Sequence, residues 1–213
     1  MMQIGIIGSG NIGSALARLA VAAGFDVVVT NRRGPASLAS FVAALGPRAR
    51  ASTIEEVVGA SPFLIEAIPF GRLQELPIGG RAGQVLVTAA NYFSGRDGRL
   101  DLDGTQSEYV ARLFPQVQVV KAFNTIRTAH LGGQGDATRP LEARRAIPLA
   151  GDDPVAKERV ADFVRAIGFG PVDLGPLTSG RFMEPGGPVF DADVTVAAAR
   201  EWAAQLARDA GSS

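Results

Sequence analysis

Residues 3–33 read QIGIIGSGNIGSALARLAVAAGFDVVVTNRR. An apolar strand, Ile4 to Ile7, runs into Gly8-Ser9-Gly10-Asn11-Ile12-Gly13; a helix rich in small residues follows, and a second apolar strand, Asp26 to Thr30, ends at Asn31-Arg32-Arg33. Strand, glycine turn, helix and strand, in that order, make the β-α-β unit of a dinucleotide site. Gly8 permits the tight turn, Gly10 lets backbone approach a pyrophosphate, and Gly13 allows the helix to pack closely on the strand. Unpaired N–H groups of the first helical turn and the positive end of the helix dipole then face the anion. With 26 glycines in 213 residues the spacing alone carries little, so context decides. Here the preceding strand is unbroken in its apolar character, and Ile12, Ala15, Leu16, Leu19 and Ala23 fall toward one side of the helix. A glycine turn holding no ligand is the alternative.

The end of the second strand selects the nucleotide. NAD sites place an acid about 20 residues beyond the glycines to bond the ribose 2′-hydroxyl. This chain has Asn31, Arg32 and Arg33 there, just before Gly34-Pro35, where proline marks a new helical turn. Two guanidinium groups near a helix N-terminus sit at the unfavourable end of its dipole unless an anion lies between them. A 2′-phosphate is such an anion, and planar guanidinium donors and the Asn31 amide suit its oxygens. NADP(H) is therefore expected over NAD(H), against the alternative of a solvated basic turn.

The chain's 21 basic and 21 acidic residues cancel, which argues against nucleic acid or an anionic membrane surface as the main partner. It has no cysteine, which excludes disulfides, thiolate metal sites and a cysteine nucleophile. No basic, cleavable apolar segment precedes the first strand and no apolar run reaches membrane-spanning length, so a cytoplasmic protein is expected.

Further along, Pro35 to Leu45 reads as helix and Thr53 to Val58 as a short helix opened by a Thr53–Glu56 capping box. Phe63 to Ile68, Gln84 to Ala89, Val117 to Ala122, Ala146 to Ala150 and Pro171 to Leu174 read as strands; Gln106 to Phe114, Pro154 to Ile167 and Ala192 to Ala210 read as helices. The alternation predicts an α/β fold, a doubly wound and mostly parallel sheet of Rossmann type with a short C-terminal helical appendage. Residues 1–175 are expected to form the NADP-binding domain, with the loop and helix of 176–213 packing on it. Val196, Ala199, Trp202, Ala203 and Leu206 share a face of the last helix, which either packs on its own domain or forms a homodimer interface.

Three stretches, Asn91 to Gly104, Thr128 to Arg145 and Gly175 to Val189, read as irregular. Ligands of open α/β sheets bind beyond the carboxyl ends of the strands, which gathers Ala67-Ile68-Pro69-Phe70, Ala89-Ala90-Asn91 and Lys121-Ala122-Phe123-Asn124 around one crevice.

The succession GIIGSGNIG, TNRRG, AIP, NYFSGRDG, VVKAFNT, LAGDD and IGFGPVDLGPL resembles the F420-dependent NADP oxidoreductase family, to which the cytoplasmic domain of STEAP metalloreductases is related. The resemblance runs from about residue 3 to 185; the MEPGGPVF segment, Met183 to Phe190, and the terminal helix depart from the pattern. It implies hydride transfer between NADP(H) and a small-molecule acceptor, coenzyme F420 or a flavin such as FMN or FAD. By that similarity Gly8, Ser9, Asn11 and Ile12 hold the pyrophosphate, and Asn31 and Arg32 the 2′-phosphate. Ala67, Ile68 and Pro69 line the adenosine-to-ribose side, and Asn91, Ala122, Phe123 and Asn124 lie near the nicotinamide and its acceptor.

Carbonyl reduction needs a placed proton donor. The candidates are few: His130, Tyr92, Tyr109, Lys121 and Lys157, with no Tyr-x-x-x-Lys pair. Lys121, ending a buried strand, is the foremost active-site charge, although a strand-end lysine also reaches solvent readily. His130, in a glycine-rich stretch, reads as surface. Hydroxyacid dehydrogenases and imine reductases carry a large helical C-terminal domain, and fewer than 40 residues follow position 175 here. A flavin-like ring delocalises the incoming charge and needs no obligatory acid, so no catalytic side chain is assigned, and Phe70, Tyr92, Phe93 and Phe123 are expected to line its site. Two further readings stay open: a nucleotide-sensing module without turnover, and a reductase of small carbonyls or imines using Lys121 or His130.

Overall fold

A computed structural model of the protein describes residues 2–210, apart from the side chains of residues 202, 207, 209 and 210. The strands are β1 (Gln3–Ile7), β2 (Asp26–Thr30), β3 (Ala49–Ala51), β4 (Phe63–Glu66), β5 (Val85–Thr88), β6 (Gln118–Lys121), β7 (Ala146–Gly151) and β8 (Gly170–Asp173). The helices are α1 (Asn11–Ala22), α2 (Ala39–Leu45), α3 (Ile54–Ala60), α4 (Ser94–Asp97), α5 (Gln106–Leu113), α6 (Thr128–Gly133), α7 (Pro154–Ala166) and α8 (Val196–Ala210). One sheet runs in the order β3-β2-β1-β4-β5-β6-β7-β8, parallel throughout except for the antiparallel β6–β7 pair. This is the doubly wound sheet expected, with the order of strand addition reversing between β1 and β4, where ligands of such sheets bind.

Both faces are covered, which is why β4 to β6 read as continuous apolar runs. On one face Ile4, Ile6, Phe63, Ile65 and Val87 pack with Leu16, Ala17 and Ala20 of α1 and Val160, Phe163 and Val164 of α7. On the other, Val28, Leu64, Leu86 and Val119 meet Val57 of α3, Val110 of α5 and the turn residues Phe70 and Leu73. The buried side of α1 is Gly13, Leu16, Ala17 and Ala20, rotated from the expected stripe, with Ile12, Ala15 and Leu19 at its edge.

Register also aligns the strand ends that carry the site. Thr30, Ile7, Glu66, Thr88 and Lys121 are successive cross-strand partners, so one row crosses five strands at their carboxyl ends. Four members of that row, Thr30, Glu66, Thr88 and Lys121, are polar and buried.

Several boundaries differ from the sequence reading. The Pro35–Leu45 segment is a 3-10 turn (Pro35–Leu38) followed by α2, and β4 ends at Glu66 rather than Ile68. Thr53 caps α3 by accepting from Glu56 N, but the Glu56 carboxylate accepts from the Ser52 hydroxyl, so the expected box closes on one side only. The full box belongs to Thr105 and Glu108 at the start of α5. The stretches read as irregular contain α4, α6 and 3-10 turns at Leu141–Ala143 and Leu177–Phe182. The last helix begins at Val196, not Ala192; Val196 and Ala199 are buried with Ala146 and Val172, while the Trp202 side chain lies outside the described residues. Residues 211–213 lie outside them too. No helix among the described residues is long and apolar enough to cross a membrane.

Candidate functional site

Two cavities open at the carboxyl ends of the strands. The larger, about 680 Å³, is lined by Gly8, Ser9, Gly10, Thr30, Asn31, Arg32, Ala67, Ile68, Pro69 and further residues. Gly8, at φ 109, turns the chain from β1 toward α1, and a Cβ there would lie 2.5 Å from the Ala67 carbonyl oxygen. A Cβ on Gly13 would lie 2.0 Å from the Gly8 carbonyl oxygen, whereas one on Gly10 would meet nothing within 4 Å. Gly13 is therefore fixed by packing, and Gly10 leaves its space to whatever approaches the loop. The loop is held rigid: Ser14 Oγ donates to the Ser9 carbonyl at 3.0 Å, and Asn31 Nδ2 donates to Ser9 Oγ at 3.0 Å.

Asn31 does more joining than expected. Its Oδ1 accepts from Arg33 N at 2.9 Å and from Ser37 Oγ at 3.1 Å, so its amide shapes the turn after β2 and ties it to the glycine loop. Of the arginine doublet, only Arg32 lines the cavity; Arg33 does not. The same wall carries Arg72, paired with Glu75 at 2.5 Å, and Glu55 near the start of α3, neither signalled by a sequence motif.

The second cavity, about 350 Å³, lies beyond β5 and β6 and is lined by Ile12, Ala89, Asn91, Phe123, Asn124, Thr125, Ile126, Arg127, Thr128, Phe190 and Asp191. Asn91 and Asn124 are locked to each other: Asn91 Nδ2 donates to the Asn124 carbonyl at 2.7 Å, and Asn124 Nδ2 donates to Asn91 Oδ1 at 3.0 Å. Between them Phe123 takes a left-handed backbone, φ 63, with its ring buried against Phe163. Ala122 is buried and lines neither cavity, and neither do Asn11 and Gly13. Arg127 closes one edge, its guanidinium donating to both carboxylate oxygens of Asp191, whose carboxyl is held below its ordinary range by that pair.

Of the four aromatics expected here, only Phe123 lines the cavity. Phe70 is buried against Tyr92 and Tyr109, and Phe93 points outward beneath the Arg96 guanidinium. Phe190, the last residue of the Met183–Phe190 segment, supplies the second ring. Tyr92 is committed to structure, its hydroxyl donating to the Gly98 carbonyl at 2.8 Å and accepting from Leu100 N.

Lys121 does not reach solvent. It is fully buried in the row with Thr88 and Glu66, its Nζ donating to the Ala90 carbonyl at 3.4 Å. Burial lowers its amine to about 8, an effect that Glu184 and Glu66 partly offset. Burial likewise pushes the Glu66 carboxyl up, against hydrogen bonds from Thr88 Oγ1 and the N–H groups of Ile68 and Ala90 and the Lys121 charge. Glu184 accepts from Gln106 N at 2.7 Å, and Gln106 Oε1 accepts from Tyr92 N. Lys121 thus sits behind the site, under the backbone that leads to Asn91, and lines neither cavity. His130 pairs with Asp193, Nδ1 to Oδ2 3.4 Å, also outside both cavities.

With this geometry in hand, comparison with known proteins is decisive for the first half of the chain. Residues 3–92 match the model of the family described as NADP oxidoreductase, coenzyme F420-dependent. Over that stretch the chain carries the pattern of that family. The metalloreductase STEAP3 of Rattus norvegicus is 34% identical over 186 residues, 85% of this chain and 36% of that protein. The chain thus spans about a third of the length of the curated relatives it matches. Among solved structures, a hypothetical protein from Sinorhizobium meliloti is 32% identical with a TM-score of 0.81, covering 92% of this chain and 96% of that one. An Arthrobacter sp. FB24 protein, proposed to be an F420-dependent NADP-reductase, superposes with a TM-score of 0.70 at 23% identity over 85% of this chain and 88% of that one, which speaks to the fold. The match over residues 3–92 and the doubly wound fold together support NADP(H) as the nucleotide.

Proposed function

We propose that the protein transfers hydride between NADP(H) and a planar, flavin-like acceptor, coenzyme F420 or a flavin. The larger cavity, with its open Gly10 approach and Arg32, is the site for the adenosine, 2′-phosphate and pyrophosphate; the smaller is the site for the nicotinamide and the acceptor. Ile12, just past the glycine turn, lines the smaller cavity, where a nucleotide threading from one to the other would pass.

One observation carries the choice of acceptor. The second cavity is lined by amides, hydroxyls, apolar groups and an arginine–aspartate pair, while Lys121, His130, Tyr92 and Tyr109 all stay off its wall. A carbonyl or imine would need a proton donor, and Asp191, the carboxyl on that wall, is held below its ordinary range by Arg127. A deazaflavin or isoalloxazine ring needs mainly to be held face to face with the hydride donor. NADPH, when bound, supplies the hydride; the chain's part is to orient both rings and keep water from between them.

Steady-state oxidation of NADPH, followed at 340 nm with coenzyme F420, FMN and FAD in turn, tests this. Turnover with at least one of them is expected. Tight NADPH binding with no oxidation by any would replace the reductase with the nucleotide-sensing reading, and turnover only with carbonyls or imines would reinstate a proton donor.

A further inference from the structure

Glu66 is a fully buried carboxyl that the proposed hydride transfer does not use. Its place in the sheet does not ask for one: Ile7, its cross-strand neighbour in the same row, fills that face with an apolar side chain and avoids the cost of burying charge. What the carboxyl does is take up backbone that the sheet has left behind. Ala67 N and Ala89 N still complete the ladder, donating to the Ile7 and Glu66 carbonyls at 2.8 and 3.1 Å. The next N–H groups, of Ile68 and Ala90, lie beyond the strand ends, and such donors need an acceptor where water is excluded. Ile68 N donates to Glu66 Oε2 at 3.5 Å and Ala90 N to Oε1 at 3.4 Å, with the Thr88 hydroxyl also donating to Oε1. Lys121 Nζ donates to the Ala90 carbonyl at 3.4 Å, so both polar backbone groups of Ala90 are held.

Those two N–H groups belong to the walls of different cavities. Ile68 lines the larger one, and Ala90 stands between Ala89 and Asn91, which line the smaller. One carboxyl thus spans from wall to wall, and Glu66 itself lines neither cavity. Resting on the hydride-transfer reading above, we infer that Glu66 is a positioning residue: it ties the nucleotide-side wall at Ile68 to the acceptor-side wall at Ala90, so that filling the larger cavity firms the smaller one and sets the approach of donor and acceptor rings. Both backbone bonds are long, as such bonds often are before a ligand arrives, and they shorten as the walls draw in. Lys121 braces the carbonyl side of Ala90 and keeps that residue from turning away as its N–H is pulled.

Adenosine 2′,5′-bisphosphate carries no nicotinamide and, on this assignment, fills the larger cavity alone, so it separates the two walls by experiment. Amide hydrogen exchange at Ile68 and at Ala89 to Asn91 is followed by NMR on the full chain with and without it. In the unaltered chain, exchange at Ala90 is expected to slow at least about fivefold together with Ile68, the lower end of coupling between sites. Glu66→Gln keeps the size but turns one oxygen into an NH₂ that cannot accept from an N–H, so one of the two ties is lost. In that variant the slowing at Ala90 is expected to fall below about twofold. Hydride transfer in a single turnover should drop about 10- to 100-fold while Kd for NADPH changes by less than about threefold, a loss of alignment and not of affinity. Absence of slowing at Ala90 in the unaltered chain overturns the inference and needs no variant. So does a Glu66→Gln chain that relays the slowing in full or transfers hydride within about threefold of the unaltered rate. If the bisphosphate does not bind, the nucleotide assignment falls and this inference with it; if its effect reaches Ala90 through Glu66 but no acceptor oxidises NADPH, the tie stands and only the hydride-transfer reading falls.

Discussion

Replacing Lys121 with methionine removes a buried ammonium while keeping side-chain length, and its consequence depends on pH in a calculable way. The amine is fully buried and held at about 8 against an ordinary 10.5, chiefly by burial, with Glu184 and Glu66 working the other way. The folded chain therefore releases this proton earlier than the unfolded chain. Between about pH 8 and 10.5 the unfolded state binds more protons, so this residue makes the fold more stable as pH rises through that window. At about 1.4 kcal/mol for each pH unit between the two values, the gain is about 3 kcal/mol. In Lys121→Met that gain is absent. Glu66, already pushed up by burial, loses a nearby cation and rises further, so its contribution to stability falls with pH and adds to the difference in the same sense. Urea denaturation of both proteins at pH 7, 8, 9 and 10, followed by circular dichroism, reads the gap directly, and the alkaline titration of other residues cancels in it. The gap is expected to move in favour of the unaltered chain by roughly 2–3 kcal/mol over this range, the last part of the gain coming only above pH 10.5. Parallel stability curves would refute the placement of a charged, desolvated Lys121 behind the site.

Arg32→Ala should raise KM for NADPH by roughly 10- to 100-fold, the scale of lost charge-assisted hydrogen bonds, and leave NADH nearly unaffected, whereas Arg33→Ala should change either by no more than about threefold. Equal effects of the two substitutions would restore the doublet as a unit. Gly13→Ala should lower Tm by about 2–10 °C, since its methyl would lie 2.0 Å from the Gly8 carbonyl oxygen and force helix from turn. Gly10→Ala, with nothing within 4 Å, should leave Tm unchanged within about 1 °C yet weaken NADP⁺ binding at least about tenfold by occupying the pyrophosphate approach; a Tm loss like that of Gly13→Ala, or unchanged affinity, contradicts the separate roles. His130→Ala should alter kcat by less than about threefold, and a fall of more than about a hundredfold would identify it as a proton donor after all.

The nucleotide half was legible because its constraints are local. Gly8, Gly10 and Gly13 act within one turn, and the apolar runs of β1, β2, β4 and β5 announce strands buried on both faces without reference to anything distant. β3 escaped notice because Ala49–Ala51 is too short for a period to show. The smaller cavity was harder for a different reason: its walls are made by long-range pairing. Nothing adjacent to Asn91 in the chain says that its amide meets the Asn124 carbonyl, or that Asp191 will close on Arg127 across 64 positions. Lys121 shows the same limit: its position at the end of β6 was readable, but whether it reached water depended on Glu66, Glu184 and Gly180 gathering around it, and a Cβ on Gly180 would lie 3.4 Å from its Cδ.

The boundary of the family match divides the site in the same place as the chemistry. The match ends at residue 92, after the glycine loop, Arg32 and the Ala67–Pro69 wall of the larger cavity. Phe123 to Thr128, Phe190 and Asp191, which make most of the smaller cavity, all come later. That later part is no loose appendage to the site. Met183 accepts from Asn124 Nδ2, Glu184 accepts from Gln106 N, and the Leu177 carbonyl accepts from the hydroxyls of Thr105 and Ser107, so the segment after β8 is bonded to the β5–α5 connection and to the β6 end together. On the proposed reading, the segment 177–191 therefore bears on the nicotinamide end and the acceptor together, through Asn124 and Arg127, while the adenosine end rests on Gly10 and Arg32 within the matched residues, and a fold of this type does not by itself fix the acceptor.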